Sequence, residues 1–587
     1  MVIAWLVAQV LQLVFESFGT PDWVMKTVLV LLATGIPFVL FFAWAFEMTP
    51  EGLKRESEVD RSQSITPQTG RKLNNVITGI LVLALGYFIV DKFVLDAARD
   101  AEMIEAAKQE VVEQSEVSAT DTGLPVTQEA DKSIAVLPFV NMSGDQENEY
   151  FSDGLTEELL NSLARIKELK VTGRTSSFAF KGNNTDLREI GQTLGVAHIL
   201  EGSVRKAQNR VRITAQLVKT DDGYHMWSDT FDRELDDIFA IQEEIATRVA
   251  KALSSTLLGD SGGKLVHMGT NNTQAYEAYL RGRYLFIRNP DDAQVQAEAD
   301  QLFSQALDLD PGFTLAWFGR FNVLSYRQRA GSIDYKDGAT QMRQLADKMV
   351  EMDPDLSESY LASTRVSLVE MNWPKAEAAI NRALLLNPGS SDVLSARSTL
   401  FAILNRNEEA LEYAIKAQAR DPLDIASLAG LAGMYETVGR CEDAKEIVTR
   451  ALSLVPDASR FRGRLAHCWR RHHAAYEKAI DLYQQEPLGF IRLTGLAISY
   501  DKLGQKDKAQ QYLDELIASE GVQASYQHAE IYAQWGDQEK ALDALELAWD
   551  IGDAGIILLK RDTDLDPIRD QPRFISMMEK WEDPSKR

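Results

Sequence analysis

Three apolar runs mark the start of the chain, and a fixed repeat marks its second half. Val76–Leu95 (VITGILVLALGYFIVDKFVL) carries no charge before Asp91, and ~20 residues at ~1.5 Å each match the ~30 Å hydrocarbon core of a bilayer. Two runs precede it: Met1–Phe15, broken only by Gln9 and Gln12, and Val24–Phe46, with Lys26 near one end and Gly35 and Pro37 inside. The polar turn ESFGTPDW separates them. The pattern predicts a membrane region over 1–95 with three helices at about 1–16, 24–46 and 76–95. The first two form a hairpin with Trp23 and Trp44 at interfacial depth. A buried helix of a soluble domain is the alternative for 76–95 alone, and the two preceding runs weigh against it. A cleaved signal peptide is disfavoured for the first run because no basic residue precedes it and no small-residue cleavage site follows. The run is expected to continue upstream of Met1.

Beyond the third run the pattern changes. Residues 96–131 read as an Ala/Glu-rich helical extension and then a tether of Ser, Thr, Asp, Gly and Pro. Ser133–Phe139 has strand composition. Leu155–Ile166 shows helical spacing, with Thr156 as its cap and Glu157 and Glu158 in its first turn. A strand near Leu169–Gly173 and a helix at Leu187–Leu194 follow. His198–Lys206, Val211–Lys219 and His225–Phe231 alternate, and the turns AQNR and TDDG join them, which predicts an antiparallel meander. A helix at Asp236–Leu258 closes an α/β domain over 132–258, and 259–272 reads as a linker.

The strings SIAVLPFVNMSGDQENEYFSDGLTEELLNSLARI, LGVAHILEGSVRKAQNRVRITAQLVKTDDGYHMWSDTFDREL and IFAIQEEIA resemble the TolB amino-terminal-like domain over most of Lys132–Leu258. The resemblance implies an envelope-facing, non-catalytic domain that contacts protein partners and stands in front of helical repeats. The stretch WAFEMTPEGLKRE is similar to the membrane head of that architecture. Relatives that carry a winged-helix DNA-binding or nucleotide-cyclase domain at the amino end have no counterpart for it here, so their output is not carried over.

Pro354, Pro388, Pro422 and Pro456 stand 34 residues apart, with Pro311 upstream by 43. Small or flexible residues keep fixed places before them: Ala306, Met349, Ala383, Ala417 and Ala451, and Ala299, Met342, Ala376, Ala410 and Ala444. Such a period means stacked helical hairpins. In Ile425–Ala458, the residues Leu428, Leu431, Ala432, Tyr435, Gly439, Ala444, Val448, Ala451 and Pro456 resemble the tetratricopeptide repeat pattern. Weaker copies around Gly504 and Gly536 extend the array, giving roughly seven or eight hairpins in a solenoid over 273–580. The closing DTDLDPIRDQPRF resembles the tail that caps bacterial repeat arrays. The fold class expected is therefore mixed: transmembrane helices, a small α/β domain, then an all-α tetratricopeptide solenoid.

Charge changes the picture in two ways. The net charge of -25 argues against nucleic-acid binding, which needs a basic face. The loop Glu47–Asn75 holds Lys54, Arg55, Arg61, Arg71 and Lys72, whereas 96–130 holds only Arg99 and Lys108. By the positive-inside bias the loop is cytoplasmic and everything after Leu95 lies outside, in the periplasm of a bacterium with this protein in its inner membrane. Cys441 and Cys468 are too few for a disulfide framework; two buried free thiols are expected, a single bridge being the alternative.

Candidate chemistry is sparse. LLGDSGGK lacks the spacing and the Ser/Thr of a phosphate loop and reads as linker. HCWRRHH holds metal-ligand residue types, but on a helix His467 and His472 are ~140° apart, and no metal site is assigned. No catalytic setting and no cofactor site emerge, so no enzyme activity and no small-molecule substrate are expected. Arg460, Arg464, His467, Arg470 and Arg471 cluster on the first helix of one repeat, within an acidic protein. They form either a solvated, salt-bridged face or the groove site for an acidic or carboxylate-terminated protein or peptide. The expectation is an inner-membrane scaffold that binds protein partners through its repeat groove and its α/β domain. The alternative is a signalling subunit that relays outside binding to a cytoplasmic effector.

Overall fold

Pro138 has no N–H, so the first strand of the α/β layer must break there, and its repair organises the layer. The computed structural model describes residues 46–49, 52–55 and 132–583, apart from 167–168, 184, 254–268 and 331. The three expected membrane helices (Phe46 excepted), the 96–131 segment and most of LLGDSGGK and its linker lie outside the described residues. Among the described residues no helix is long and apolar enough to cross a membrane. Residues 1–124 form a unit of their own. Its described part is an antiparallel pair, β1 (Phe46–Thr49) and β2 (Gly52–Arg55), running from Phe46↔Arg55 to Thr49↔Gly52. This pair stands in place of the helix end and loop that the pattern predicts.

In the second unit, residues 125–587, the sheet is mixed. β3 (Ser133–Val136) lies parallel to β5 (Lys170–Val171) on one side and to β6 (His198–Ala207) on the other. β4 (Val140–Asn141) continues along β6 past the proline. β6, β7 (Arg210–Lys219) and β8 (His225–Glu234) form the antiparallel meander that the alternation predicts. At the break, the Phe139 N–H is taken by Thr156 Oγ1 at 2.9 Å. Thr156 is thus not a cap: the helix starts at Glu149 and runs to Ala164, which puts this residue in its middle. Asp153, Glu157 and Glu158 on that helix are buried, and their polarity hides the helix start from a reading of apolar spacing.

Helices cover both faces of the sheet. Leu187–Leu194 packs Ile190 and Leu194 against Ala135, Leu137 and Ile199. On the other face the helices Glu149–Ala164 and Ile238–Leu253 bury Leu155, Leu159, Ile241 and Ile245 with Val136, Leu200 and Ile213, and the same core continues into Tyr276, Tyr279 and Phe303 of the first repeat. No seam divides the two parts. A short helix that the sequence pattern does not reveal, Arg174–Phe178, meets the repeats directly. Its Ser176 and Thr175 N–H groups donate to the Asp421 carboxylate at 2.7 and 3.2 Å, and Gly173 N–H donates to Arg420 O at 2.5 Å.

Eight helical hairpins are described from Thr273 to Ile551. The periodic alanines are their contact points: Ala299, Ala306, Ala376, Ala383, Ala410 and Ala444 are fully buried. Asp, Asn or Ser side chains cap many of the helices, as Asp292, Asn372, Ser390 and Asp424 do. Gly439 ends a helix with φ +75°, a conformation that favours glycine. After the last hairpin, two short 3-10 turns and the helix Pro572–Glu582 fold back on the array. There Trp581 packs on Trp373 with ring centroids 4.4 Å apart and the rings tilted by 33°, and Trp373 Nε1 donates to Trp581 O at 2.8 Å.

Candidate functional site

The helix Phe461–His473 follows Arg460, whose φ of +75° is unusual for a residue with a side chain. No side chain of its own caps the helix. Glu486, from beyond the next helix, does so instead: its carboxylate accepts from the N–H groups of Arg460 at 2.7 Å and Gly463 at 2.9 Å. Positions 464, 467 and 471 then fall on one stripe by helical spacing. That stripe faces Glu436 of the preceding repeat, with Arg464 Nη1 at 3.6 Å, His467 Nδ1 at 3.5 Å and Arg471 Nη1 at 3.2 Å. Burial alone would raise Glu436, but His467, Arg471 and Arg464 together bring it down to about 2. His467 itself is pushed down by burial, with Glu436 only partly restoring it.

Arg470 points elsewhere. Its Nη1 and Nη2 reach Asp564 Oδ1 and Oδ2 at 2.8 and 2.6 Å, its Nε reaches Tyr483 OH at 3.2 Å, and it is 5% exposed. Arg471 also binds Asp564, at 2.5 Å, and Asp562 at 3.3 Å. Against the cost of burial, the two arginines hold Asp564 well below the usual carboxylate range. For Arg470 and Arg471, then, the acidic partner is the chain's own DTDLDPIRD. A freely solvated face does not describe them.

The residues of HCWRRHH do not converge on a metal. His472 Nε2 lies 2.8 Å from Glu436 O, His473 packs on Trp469, and Cys468 is bonded to Cys441. The expectation of two free thiols is corrected by that disulfide: the first residue of one helix and the middle of the next come within 5.7 Å, Cα to Cα. Glu530, Asp562 and Asp564 do gather their oxygens within 4.8 Å. Arg471 already faces all three, at 3.9, 3.3 and 2.5 Å, and burial with Asp562 pushes Glu530 well above the usual range.

What remains open is a cavity of about 320 Å³ beside the tail, lined by Arg460, Arg464, His467, Thr494, Tyr526 and Arg561 among others. Sequence reasoning finds the first three and misses Thr494, Glu436, Arg561 and the tail aspartates. The signal for the tail aspartates lies in the alternating acids of DTDLDPIRD, opposite in charge to the basic helix.

Residues 130–248 match the family model of the HilA/YgeH-like transcriptional regulator, second domain, and residues 494–555 match a tetratricopeptide repeat model. The hairpins are tetratricopeptide repeats, an architecture of protein–protein interaction. A curated relative from Rhizobium meliloti (strain 1021), named a putative adenylate cyclase, is 41% identical over 187 residues, which is 32% of this chain and 32% of the relative. The match thus spans about a third of that relative's length. A relative named as an enzyme overturns the non-enzyme expectation drawn above. Among solved structures, pilF of Pseudomonas aeruginosa is 20% identical, covering 35% of this chain and 90% of its own, with a TM-score of 0.28. A tetratricopeptide repeat protein of Parabacteroides merdae is 14% identical, covering 51% and 100%, with a TM-score of 0.30.

Proposed function

We propose that the chain is a membrane-anchored scaffold whose repeats recruit a protein partner through an acidic segment, docking at the mouth of the Arg460–Arg464 cavity. The observation that carries this reading is the charge arrangement: Arg470 and Arg471 are spent on the tail, while Arg460 is exposed and forms no ion pair among the described residues. Among the described residues Arg464 has one carboxylate within ion-pair distance, at 3.6 Å, which it shares with His467 and Arg471. The reading places the α/β domain, similar to TolB amino-terminal-like domains, and the repeats in the periplasm of a bacterial inner-membrane protein. The Lys/Arg balance of the loops and the Cys441–Cys468 bridge support that side, since disulfides persist in oxidising compartments.

A regulatory role is the second reading. The regulator-family match at 130–248 and the relative named a putative adenylate cyclase favour it. On this reading, binding in the periplasm is relayed through the membrane helices to a cytoplasmic effector.

The full chain in detergent, exposed to envelope extract, tests the first reading. Wild type should retain a discrete partner that is released by an Asp/Glu-rich peptide and lost on Arg460→Glu. Retention by a folded Arg460→Glu chain would sink it.

A further inference from the structure

The cavity beside the tail holds more positive charge than its walls answer. Arg561, in the turn that brings the tail in, makes no ion pair and no side-chain hydrogen bond among the described residues. Arg464 Nε is buried without an acceptor, and so is the hydroxyl of Thr494, a residue only 5% exposed. All three residues line the same space. Burial pushes Arg464 and Arg561 down; Glu436 pulls both back, and each also feels an arginine neighbour, Arg460 for the first and Arg464 for the second.

Glu486 also pulls Arg464 back and Asp562 also pulls Arg561 back, but the acidic residues nearby are bonded to other groups. Glu436 is shared among Arg464, His467 and Arg471. Asp562 accepts from Tyr526 OH at 3.0 Å and from Asp564 N–H at 3.0 Å, and faces Arg471. Glu530 is pushed well above the usual carboxylate range by burial beside Asp562. Arg464 Nε and the Thr494 hydroxyl thus lack an acceptor, and Arg561 lacks a hydrogen-bonded partner, beside a space that all three residues line, an arrangement favourable around an anion.

We propose that this cavity binds a small-molecule oxyanion, a carboxylate- or phosphate-bearing compound, through Arg464, Arg561 and Thr494. The proposal rests on the reading of this face as the recognition site and names the chemistry that its inner part accepts. A volume of about 320 Å³ exceeds a single phosphate and suits a compact compound with two or three acidic groups. The anion joins helices of two repeats to the turn of the tail, so its binding stiffens the cap that Arg470 and Arg471 clamp.

Calorimetry and thermal unfolding of the full chain in detergent test it, with inorganic phosphate and citrate as probes against chloride at equal ionic strength. Wild type should bind with measurable heat and gain melting temperature. Arg561→Met should bind at least tenfold more weakly, and Thr494→Val at least threefold. Without anion, Arg561→Met should melt within a few degrees of wild type, because Arg561 makes no ion pair or side-chain hydrogen bond among the described residues; if it does not fold, Thr494→Val carries the test. Equal stabilisation of wild type and variants would show a general salt effect and overturn the site, as would absence of binding heat. Loss of partner on Arg460→Glu without any anion-specific shift would overturn the pocket and keep the docking face. The reverse result would keep the pocket and overturn the docking face.

Discussion

Arg470 and Asp564, 94 residues apart in the chain, meet as a two-point ion pair at 2.8 and 2.6 Å, and both are buried. The pair fastens the tail to the sixth hairpin. Breaking a buried pair from one side leaves the other charge unanswered, which costs about 3–5 kcal/mol. Asp564→Ala, which strands both Arg470 and Arg471, should therefore lower unfolding free energy by about that amount in urea titrations. Arg470→Met combined with Asp564→Leu should recover part of it. A loss below about 1 kcal/mol for Asp564→Ala would mean that the tail is held by its apolar contacts alone.

The Cys441–Cys468 bridge closes a stretch with a sequence separation of 27 and ties the basic helix to its neighbour. By chain entropy such a loop contributes about 3–4 kcal/mol. Cys441→Ser with Cys468→Ser should lower the melting temperature by several degrees without altering helix content, and a reductant should do the same to wild type only. If reductant leaves wild type unchanged, the bridge contributes nothing to stability.

The repeats and the meander are legible in the sequence because their signals are local. A 34-residue proline spacing and strict alternation need no knowledge of distant partners. The site is legible only in part. Arg464, His467 and Arg471 share a face by helical spacing alone, but what answers them does not follow from it. Asp564 lies 94 residues from Arg470, and Trp581 lies 208 from Trp373. The helix Glu149–Ala164 is obscured for a related reason: its buried Glu157 and Glu158 find their cation in Arg283, on another module. Thr156 has the composition of a cap and serves as an acceptor for a strand broken by Pro138.

Burial pushes Glu158 up to about 7 from an ordinary 4.5, against the attraction of Arg283. A carboxyl whose folded pKa is raised adds stability that is complete below its unfolded pKa and is lost as pH rises through the folded one. Stability should therefore fall by about 3 kcal/mol from this group between pH 4.5 and pH 7. Asp421, raised by burial to about 6, acts in the same direction. Glu436, lowered to about 2, acts oppositely and only below that window. Urea titrations across the window should show the fall, and Glu158→Gln should remove most of it. An unchanged slope in that variant would mean that Glu158 stays ionised throughout.

Gly389 sits in the loop between two repeats, where an added Cβ would lie 2.5 Å from the backbone oxygen of Ala164, the last residue of the buried α/β helix. Backbone cannot yield as a flexible side chain can, so Gly389→Ala should force the loop off the α/β layer at a cost of about 1–3 kcal/mol. The strain should be felt nearby, where Gly173 and Ser176 bond to Arg420 and Asp421. Hydrogen exchange is the measurement. In the variant, amides of 173–178 and 421–424 should exchange faster, while those of 489–551 keep wild-type rates because their contacts lie with the tail. Uniform acceleration would show that the α/β layer and the whole array open as one cooperative unit, and unchanged exchange would show that the loop absorbs the methyl without consequence.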